Sequence, residues 1–252
     1  MLRSLVERAT RSLRFRRRLP TAFGRIPIWV SPSAGLRYLF RGMSDIDPVI
    51  LRLVLEFIAT DSVVWDVGAN VGLFSFTAAF KAGPRGLVVA LEPDLLLVQL
   101  LRRSSRIQPP ASAPVRVIPV AVAESVDLRN FCIASRARST NFLSGYGTTQ
   151  TGGTAEEQIT LTVTLDWLAE RFPLPDILKI DVEGAELEVL RGAKSLFQRK
   201  RPVVLCEVGS ESSPDVTAFL SSLGYQIFDG EVPKERREVL CSAPWCTVAV
   251  PA

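Results

Sequence analysis

The sequence predicts a Rossmann-like α/β domain, a mostly parallel sheet with helices on both faces, preceded by a short N-terminal extension. Three observations carry this reading. From residue 62 onward, apolar runs of strand length alternate with stretches of helix length. A glycine turn, Asp66-Val67-Gly68-Ala69-Asn70-Val71-Gly72, joins the first of those strands to the helix after it. And 252 residues, 47% hydrophobic and 22% charged, suffice for one large core. No apolar stretch approaches the ~18 residues that a membrane-spanning helix needs.

The elements follow in chain order. Residues 1–44 read as a basic arm with a short hairpin, two strands within 26–40 around a Ser-Pro-Ser-Ala-Gly turn. A domain over 45–252 then opens on a helix. Asp47 caps it, Pro48 suits its first position, and Val49, Ile50, Leu53, Val54, Phe57 and Ile58 form its apolar stripe. Strands are expected at 62–67, 86–91 and 115–123, with helices at 73–80 and 94–103 between them. The Ser/Thr/Gly-rich stretch of about 124–164 breaks the alternation and reads as a lid-like insertion, with short strands at 128–134 and 158–163. Helices at 166–171, 185–197 and 214–223, and strands at 177–182, 203–208, 225–228 and 247–250, complete the chain.

Composition removes several chemistries. The chain has no histidine, which excludes Ser-His-Asp and Cys-His catalysis and His-ligated zinc, so a general base must be Asp, Glu, Lys, Tyr or a thiolate. Cys132, Cys206, Cys241 and Cys246 show no paired CxxC spacing, as expected of reduced thiols in a cytoplasmic protein. The net charge is +4, yet residues 1–18 hold seven of the 30 basic residues and one of the 26 acidic ones, leaving 23 basic against 25 acidic. The Arg-rich arm lacks the apolar region and cleavage site of a secretory signal. It reads as a solvated helical arm, with peripheral contact to a membrane or other anionic surface and a mitochondrial presequence as its alternatives.

The glycine turn discriminates between ligands. A dinucleotide fingerprint needs G-x-G-x-x-G, and a phosphate loop needs GK[ST]; neither is present. The Asp-x-Gly-x-Asn-x-Gly spacing instead resembles the first motif of S-adenosylmethionine-dependent methyltransferases. There the turn, here Gly68, Ala69, Asn70 and Gly72, cups the amino-acid end of the ligand, and Asp66 suits its ammonium group. Glu92, about 20 residues past Gly72 at the end of the next strand, stands where an acid meets ribose hydroxyls. The third strand brings Val120 to Ala123, with Ala121 foremost, toward the adenine or into plain core.

In the second block, Lys179-Ile180-Asp181-Val182-Glu183-Gly184-Ala185-Glu186, the two-residue period puts Lys179, Asp181 and Glu183 on one strand face. Read together, the two blocks resemble the FkbM-type methyltransferases, whose D-V-G-A-N-x-G turn matches Asp66 to Gly72. Their acid after the second strand matches Glu92, and their K-I-D-V-E-G-A-E-x-x-V-L-x-G-A segment matches Lys179 to Ala193. The resemblance covers residues 45–230. It implies a class I methyltransferase fold with a seven-stranded sheet, S-adenosylmethionine as donor, and O-methylation of a hydroxyl on a sugar or glycan, a polyketide or another natural product. Two departures stand out: Ser44 to Pro48 replaces a Tyr-Glu-Pro-like sequence, and Gly209 follows Glu207-Val208 where the family often has a histidine close to the glutamate.

With no histidine, Asp181 is the first candidate for base or hydroxyl anchor and Glu183 the second, with Lys179 to orient or neutralise them. Magnesium held by Asp181, Glu183 and Glu207 is the alternative, although no residue is assigned as a metal ligand. Nucleic-acid methylation is not expected, since no Asn/Asp-Pro-Pro-aromatic motif follows the fourth strand and Pro109-Pro110 lacks the aromatic. A non-catalytic binding protein of the same fold is a further alternative. Loop residues 136–157, among them Asn141, Phe142 and Tyr146, and the hairpin residues Trp29 and Tyr38 are candidates for recognising the acceptor.

Overall fold

The computed structural model describes residues 13–135, 137–147 and 152–252, so most of the basic arm, residues 1–12, lies outside the described residues. The arginine run that follows is a strand rather than a helix. β1 (Phe15–Arg18) pairs antiparallel with β2 (Pro27–Val30), so the hairpin is built from 15–30 and not from within 26–40. Residues 37–40 form a short helix, α1 (Arg37–Phe40), where a second strand was expected. The reason is local: Ser31 caps a 3₁₀ turn at Pro32–Ala34, and that turn feeds the helix.

α2 (Pro48–Phe57) starts as its sequence dictates, with Pro48 at the first position and the Asp47 carboxylate accepting the Ile50 N–H at 2.9 Å. Next come β3 (Val63–Val67), α3 (Leu73–Ala82), β4 (Leu87–Leu91), α4 (Leu95–Ser105) and β5 (Val115–Ile118). The strand expected over 115–123 is two strands. Pro119, which has no N–H for the ladder, ends β5, and β6 (Ala121–Val122) crosses into another sheet. There β7 (Asp127–Ala134), β8 (Phe142–Leu143) and β9 (Thr154–Val163) complete a four-stranded sheet in the order β6-β9-β7-β8.

The chain returns through α5 (Leu165–Ala169) and β10 (Ile177–Ile180). The helix expected over 185–197 is then broken into α6 (Glu186–Arg191) and α7 (Lys194–Arg199). The Asp166 carboxylate accepts the Ser195 and Leu196 N–H groups and so starts α7 afresh, and Gly192 lies at the break, where a Cβ would sit 2.4 Å from the carbonyl oxygen of Ala123. β11 (Val203–Glu207), α8 (Ser213–Ser222), β12 (Tyr225–Asp229) and β13 (Cys246–Pro251) follow.

The main sheet runs β12-β13-β11-β10-β3-β4-β5, with only β13 antiparallel to its neighbours. Period-two alternation sorts its side chains between two cores: Val64 faces the core with α2, α3, α4 and the hairpin, while Trp65 faces the core with α5 to α8. Strand order reverses between β3 and β10. At such a switch point two diverging loops leave a crevice at the carboxyl ends of the strands, and ligands bind there.

Candidate active site

Both sequence blocks end at that crevice. Asp66 on β3 and Lys179 on β10 are register partners, and both are buried. The Lys179 ammonium lies 3.5 Å from Asp66 Oδ1 and 2.9 Å from Asp181 Oδ2, and donates to the Gly68 carbonyl at 3.1 Å. The second Asp66 oxygen accepts the Ser75 hydroxyl at 2.5 Å. Asp66 thus sits beneath the turn and does not line either cavity described below. Burial raises its pKa, against the opposing pull of Lys179. Burial alone would lower Lys179, but the carboxylates of Asp181, Asp66 and Glu207 outweigh it and hold the ammonium charged.

The glycines of the turn do different work. Gly68, at φ +78°, faces the Asp181 carbonyl oxygen, which would stand 1.9 Å from any Cβ, so only glycine lets β3 and β10 meet here. Gly72, at φ +90°, starts α3 and is shut in by Phe76 and Leu101. Ala69 is buried in the core, its N–H donating to the Leu91 carbonyl. Asn70 has φ +53°, a conformation that asparagine tolerates better than most residues, and its side-chain oxygen accepts the Val71 N–H at 2.7 Å. Its own N–H donates to Glu92 Oε2 at 2.8 Å, while the Asp94 N–H donates to Glu92 Oε1 at 2.9 Å. Two backbone donors thus orient the Glu92 carboxyl. Burial pushes its pKa up to about 8, although those N–H groups work against the rise.

Glu92 lines a cavity with Gly68, Asn70 and Asp181 on its polar side and Leu91, Val120, Ala121, Phe131 and Leu143 on its apolar side. This combination fits S-adenosylmethionine: a carboxylate for ribose hydroxyls, an apolar wall around Ala121 for a base, and a tight backbone turn for the amino-acid end. A second, larger cavity adjoins it, and Asn70, Ser139, Asp181 and Glu183 line both. Its lining includes the acids Asp47, Glu207 and Glu231, with Arg37 among its few cations and Trp245 half exposed.

β10 stops at Ile180, so Glu183 does not share a strand face with Lys179 as the two-residue period predicted. Glu183 instead takes a left-handed conformation, φ +52°, uncommon for a side chain that does not bond its own turn. Its carboxyl has no hydrogen-bond partner among the described residues. Burial, then the charges of Asp181 and Glu186, push its pKa up to about 7. Glu207 is raised to about 8, first by the Asp181 charge and then by burial. Among the described residues no group of three or more acids or cysteines is arranged to hold a metal ion.

One part of the site had no sequence signal beyond a helix start. Asp94, fully buried at the start of α4, accepts the Leu96 N–H at 2.8 Å, the Arg138 guanidinium at 2.6 Å and the Asn141 amide at 2.8 Å. These bonds pin the 3₁₀ turn Arg138–Thr140 of the inserted sheet against the first cavity, where Arg138, Ser139 and Asn141 form a wall. Asn141 therefore lines the first cavity and not the second. Tyr146 donates to Glu188, Tyr38 is buried in the core, and Trp29 lies under Arg16 and Arg103. None of these three, nor Phe142, lines either cavity.

A parallel sheet with one antiparallel strand, an acid after its second strand and a ligand crevice at the switch point define a class I methyltransferase, dependent on S-adenosylmethionine. The Methyltransferase FkbM domain model matches residues 66–227, and the chain belongs to this family. It is 32% identical over 189 residues to the hexuronic acid methyltransferase AglP of Haloferax volcanii, covering 72% of this chain and 69% of that protein. It is 26% identical over 195 residues to methyltransferase sdnD of Sordaria araneosa, covering 64% of this chain and 73% of that one. A solved structure of methyltransferase FkbM from Methylobacillus flagellatus aligns over 75% of this chain with a TM-score of 0.49 and 18% identity; the chain spans 43% of that structure's length. Among the described residues no helix is long and apolar enough to cross a membrane.

Proposed function

We propose that the protein O-methylates a hydroxyl of a sugar or glycan. The observation that carries this is the junction of the two cavities at Asn70, Ser139, Asp181 and Glu183, with an acceptor side rich in carboxylates. Carboxylates are strong acceptors for the O–H groups of a polyhydroxylated ligand, and a half-exposed Trp245 at the same cavity offers a face for a sugar ring. An anionic reacting group would meet five carboxylates in that lining, Asp47, Asp181, Glu183, Glu207 and Glu231, against Arg37 and the already paired Lys179. A neutral hydroxyl would not. The hexuronic acid named for the AglP relative supports a sugar-based acceptor.

In this reading Glu92 accepts ribose hydroxyls, Ala121 and its neighbours hold the base, and Gly68 to Asn70 present backbone to the amino-acid end. Asp66 acts one layer down, keeping Lys179 and the turn in place. Bound there, S-adenosylmethionine supplies a methyl group on a sulfonium for in-line displacement. Asp181, fixed by Lys179, accepts the hydrogen bond of the acceptor hydroxyl and aims its oxygen. The hydroxyl proton passes to Glu183, whose unpaired carboxyl is matched to proton transfer near neutral pH, as the new C–O bond forms.

The test is a screen with S-adenosylmethionine against free sugars, nucleotide sugars and glycans, alongside polyketide alcohols, read by mass and by alkali treatment. A base-stable ether on a sugar is the expected product. Transfer confined to polyketides, or a base-labile ester on a uronic carboxyl, would overturn the proposal.

A further inference from the structure

The positive charge of the molecule is not confined to its N-terminal arm. Residues 13–44 and 95–118 together contain eleven arginines and not one Asp or Glu. They are far apart in sequence, and folding joins them. β2 lies along α4: the Trp29 N–H donates to the Ser104 hydroxyl at 2.8 Å, and the Gln108 amide donates to the Pro27 carbonyl at 3.3 Å. Arg16 of β1 and Arg103 of α4 converge on the Trp29 ring, 5.8 and 5.4 Å from its centre. Arg116 of β5, in register with Val89, points to the opposite face of the main sheet and stands outside the set. Ten of the eleven are exposed, Arg17 being the half-buried one. Among the described residues none of Arg16, Arg25, Arg102, Arg103, Arg106 and Arg116 has a carboxylate within ion-pair distance.

Apolar side chains stand among these charges. Arg17 donates to the carbonyls of Tyr38 and Arg41, which ties α1 to β1 and places Phe40, 72% exposed, beside the hairpin. Leu13, two residues before β1, and Leu95, at the start of α4, are exposed too. We propose that this face, formed by the β1–β2 hairpin, α1 and α4, docks the protein on an anionic lipid bilayer. Arginines interspersed with exposed Phe and Leu suit the boundary between charged headgroups and acyl chains. A nucleic acid would need an open aromatic for base stacking, and the Trp29 ring already carries two guanidiniums. Gly35, Leu36 and Arg37, next to Phe40, line the larger cavity, so docking would set the mouth of the acceptor side close to the membrane surface. The proposal does not depend on the sugar reading.

The experiment is co-sedimentation of the full chain with vesicles of phosphatidylcholine containing about one-third phosphatidylglycerol, against vesicles of phosphatidylcholine alone. Binding is expected only to the anionic vesicles, and to be lost as salt rises from about 0.1 to 0.5 M. Replacing Arg102, Arg103 and Arg106 with Gln is expected to weaken it on the order of 100-fold, with melting curve and S-adenosylmethionine binding unchanged. Arg16→Gln with Arg18→Gln, both exposed on β1, is expected to weaken it at least tenfold and serves should the α4 variant fail to fold. Phe40→Ser is expected to weaken binding about tenfold at unchanged salt dependence. No partition of the wild type to anionic vesicles would overturn the proposal. So would undiminished binding by both arginine variants, which would move the contact to residues 1–12, or retention on poly-U RNA without retention on vesicles.

Discussion

Lys179→Met tests whether one buried cation holds both halves of the site together. Lys179 is 7% exposed and reaches Asp66, which is fully buried, and Asp181, whose side chain is 29% exposed. Met conserves length and apolar volume but leaves two carboxylates without their cation. Breaking a buried pair by removing one partner costs about 3–5 kcal/mol, and most of that falls on Asp66, since water partly screens Asp181. At about 2–4 °C per kcal/mol for a domain of this size, the melting temperature is expected to fall by roughly 6–20 °C. The pH dependence has a definite sign. An acid whose folded pKa lies above its unfolded value penalises folding above the unfolded pKa, and the penalty fades as pH falls. Without Lys179 that elevation grows, so the deficit should be largest at pH 8 and shrink toward pH 4. Urea unfolding followed by circular dichroism, with Asp66→Asn alone and combined, checks both points. In the Asp66→Asn background the Lys179 substitution should cost about 2 kcal/mol less. A loss below ~1 kcal/mol at pH 8, or strict additivity in the double variant, would refute the reasoning.

Two further predictions address the turn and the base. Gly68→Ala puts a Cβ 1.9 Å from the Asp181 carbonyl at φ +78°, so β3 and β10 must separate; S-adenosylmethionine affinity by calorimetry should fall at least tenfold, and wild-type affinity would contradict the close approach. With Glu183 near 7, kcat/KM for methyl transfer should rise with pH through about 7; Glu183→Gln should remove that limb and lower turnover by about 10²–10⁴-fold while donor binding persists. An unchanged pH profile in that variant would shift the proton acceptor to Asp181 or Glu207.

The legible parts of this fold are those where a local rule and the tertiary structure agree. Asp47-Pro48 starts α2 because a cap and a fixed φ act within four residues, and β3, β4 and β11 follow from short apolar runs. The turn at 66–72 and Glu92 are legible because a strand, a glycine conformation and a chain-length separation specify them. What was not legible depends on partners distant in sequence. The break near Gly192 exists because Asp166, 29 residues before Ser195, caps α7 at Ser195 and Leu196, and residue 192 is glycine because the Ala123 carbonyl lies against it. Asp94 reads as the first residue of a helix and no more until folding brings Arg138 and Asn141 to it across more than 40 residues. Glu183 leaves the strand face that its period assigns because Gly184 follows it and the chain turns left-handed there.

Charge segregation ties these features to function. The larger cavity gathers acids at the carboxyl ends of β10 and β11; burial and then neighbouring acids raise Glu183, and the Asp181 charge and then burial raise Glu207. Such a cluster survives near neutral pH because Lys179 neutralises its deepest members and because the raised groups bind protons instead of accumulating charge. A cationic donor is favoured by the same field, and an anionic acceptor group is disfavoured by it. Apart from Arg37, which lines the same cavity, the arginines of the outer face stand on other elements, the hairpin and α4, where they do not cancel this field. A net charge of +4 therefore describes neither region: it is the residue of an acidic reaction crevice and a basic outer face, each of which selects a different partner.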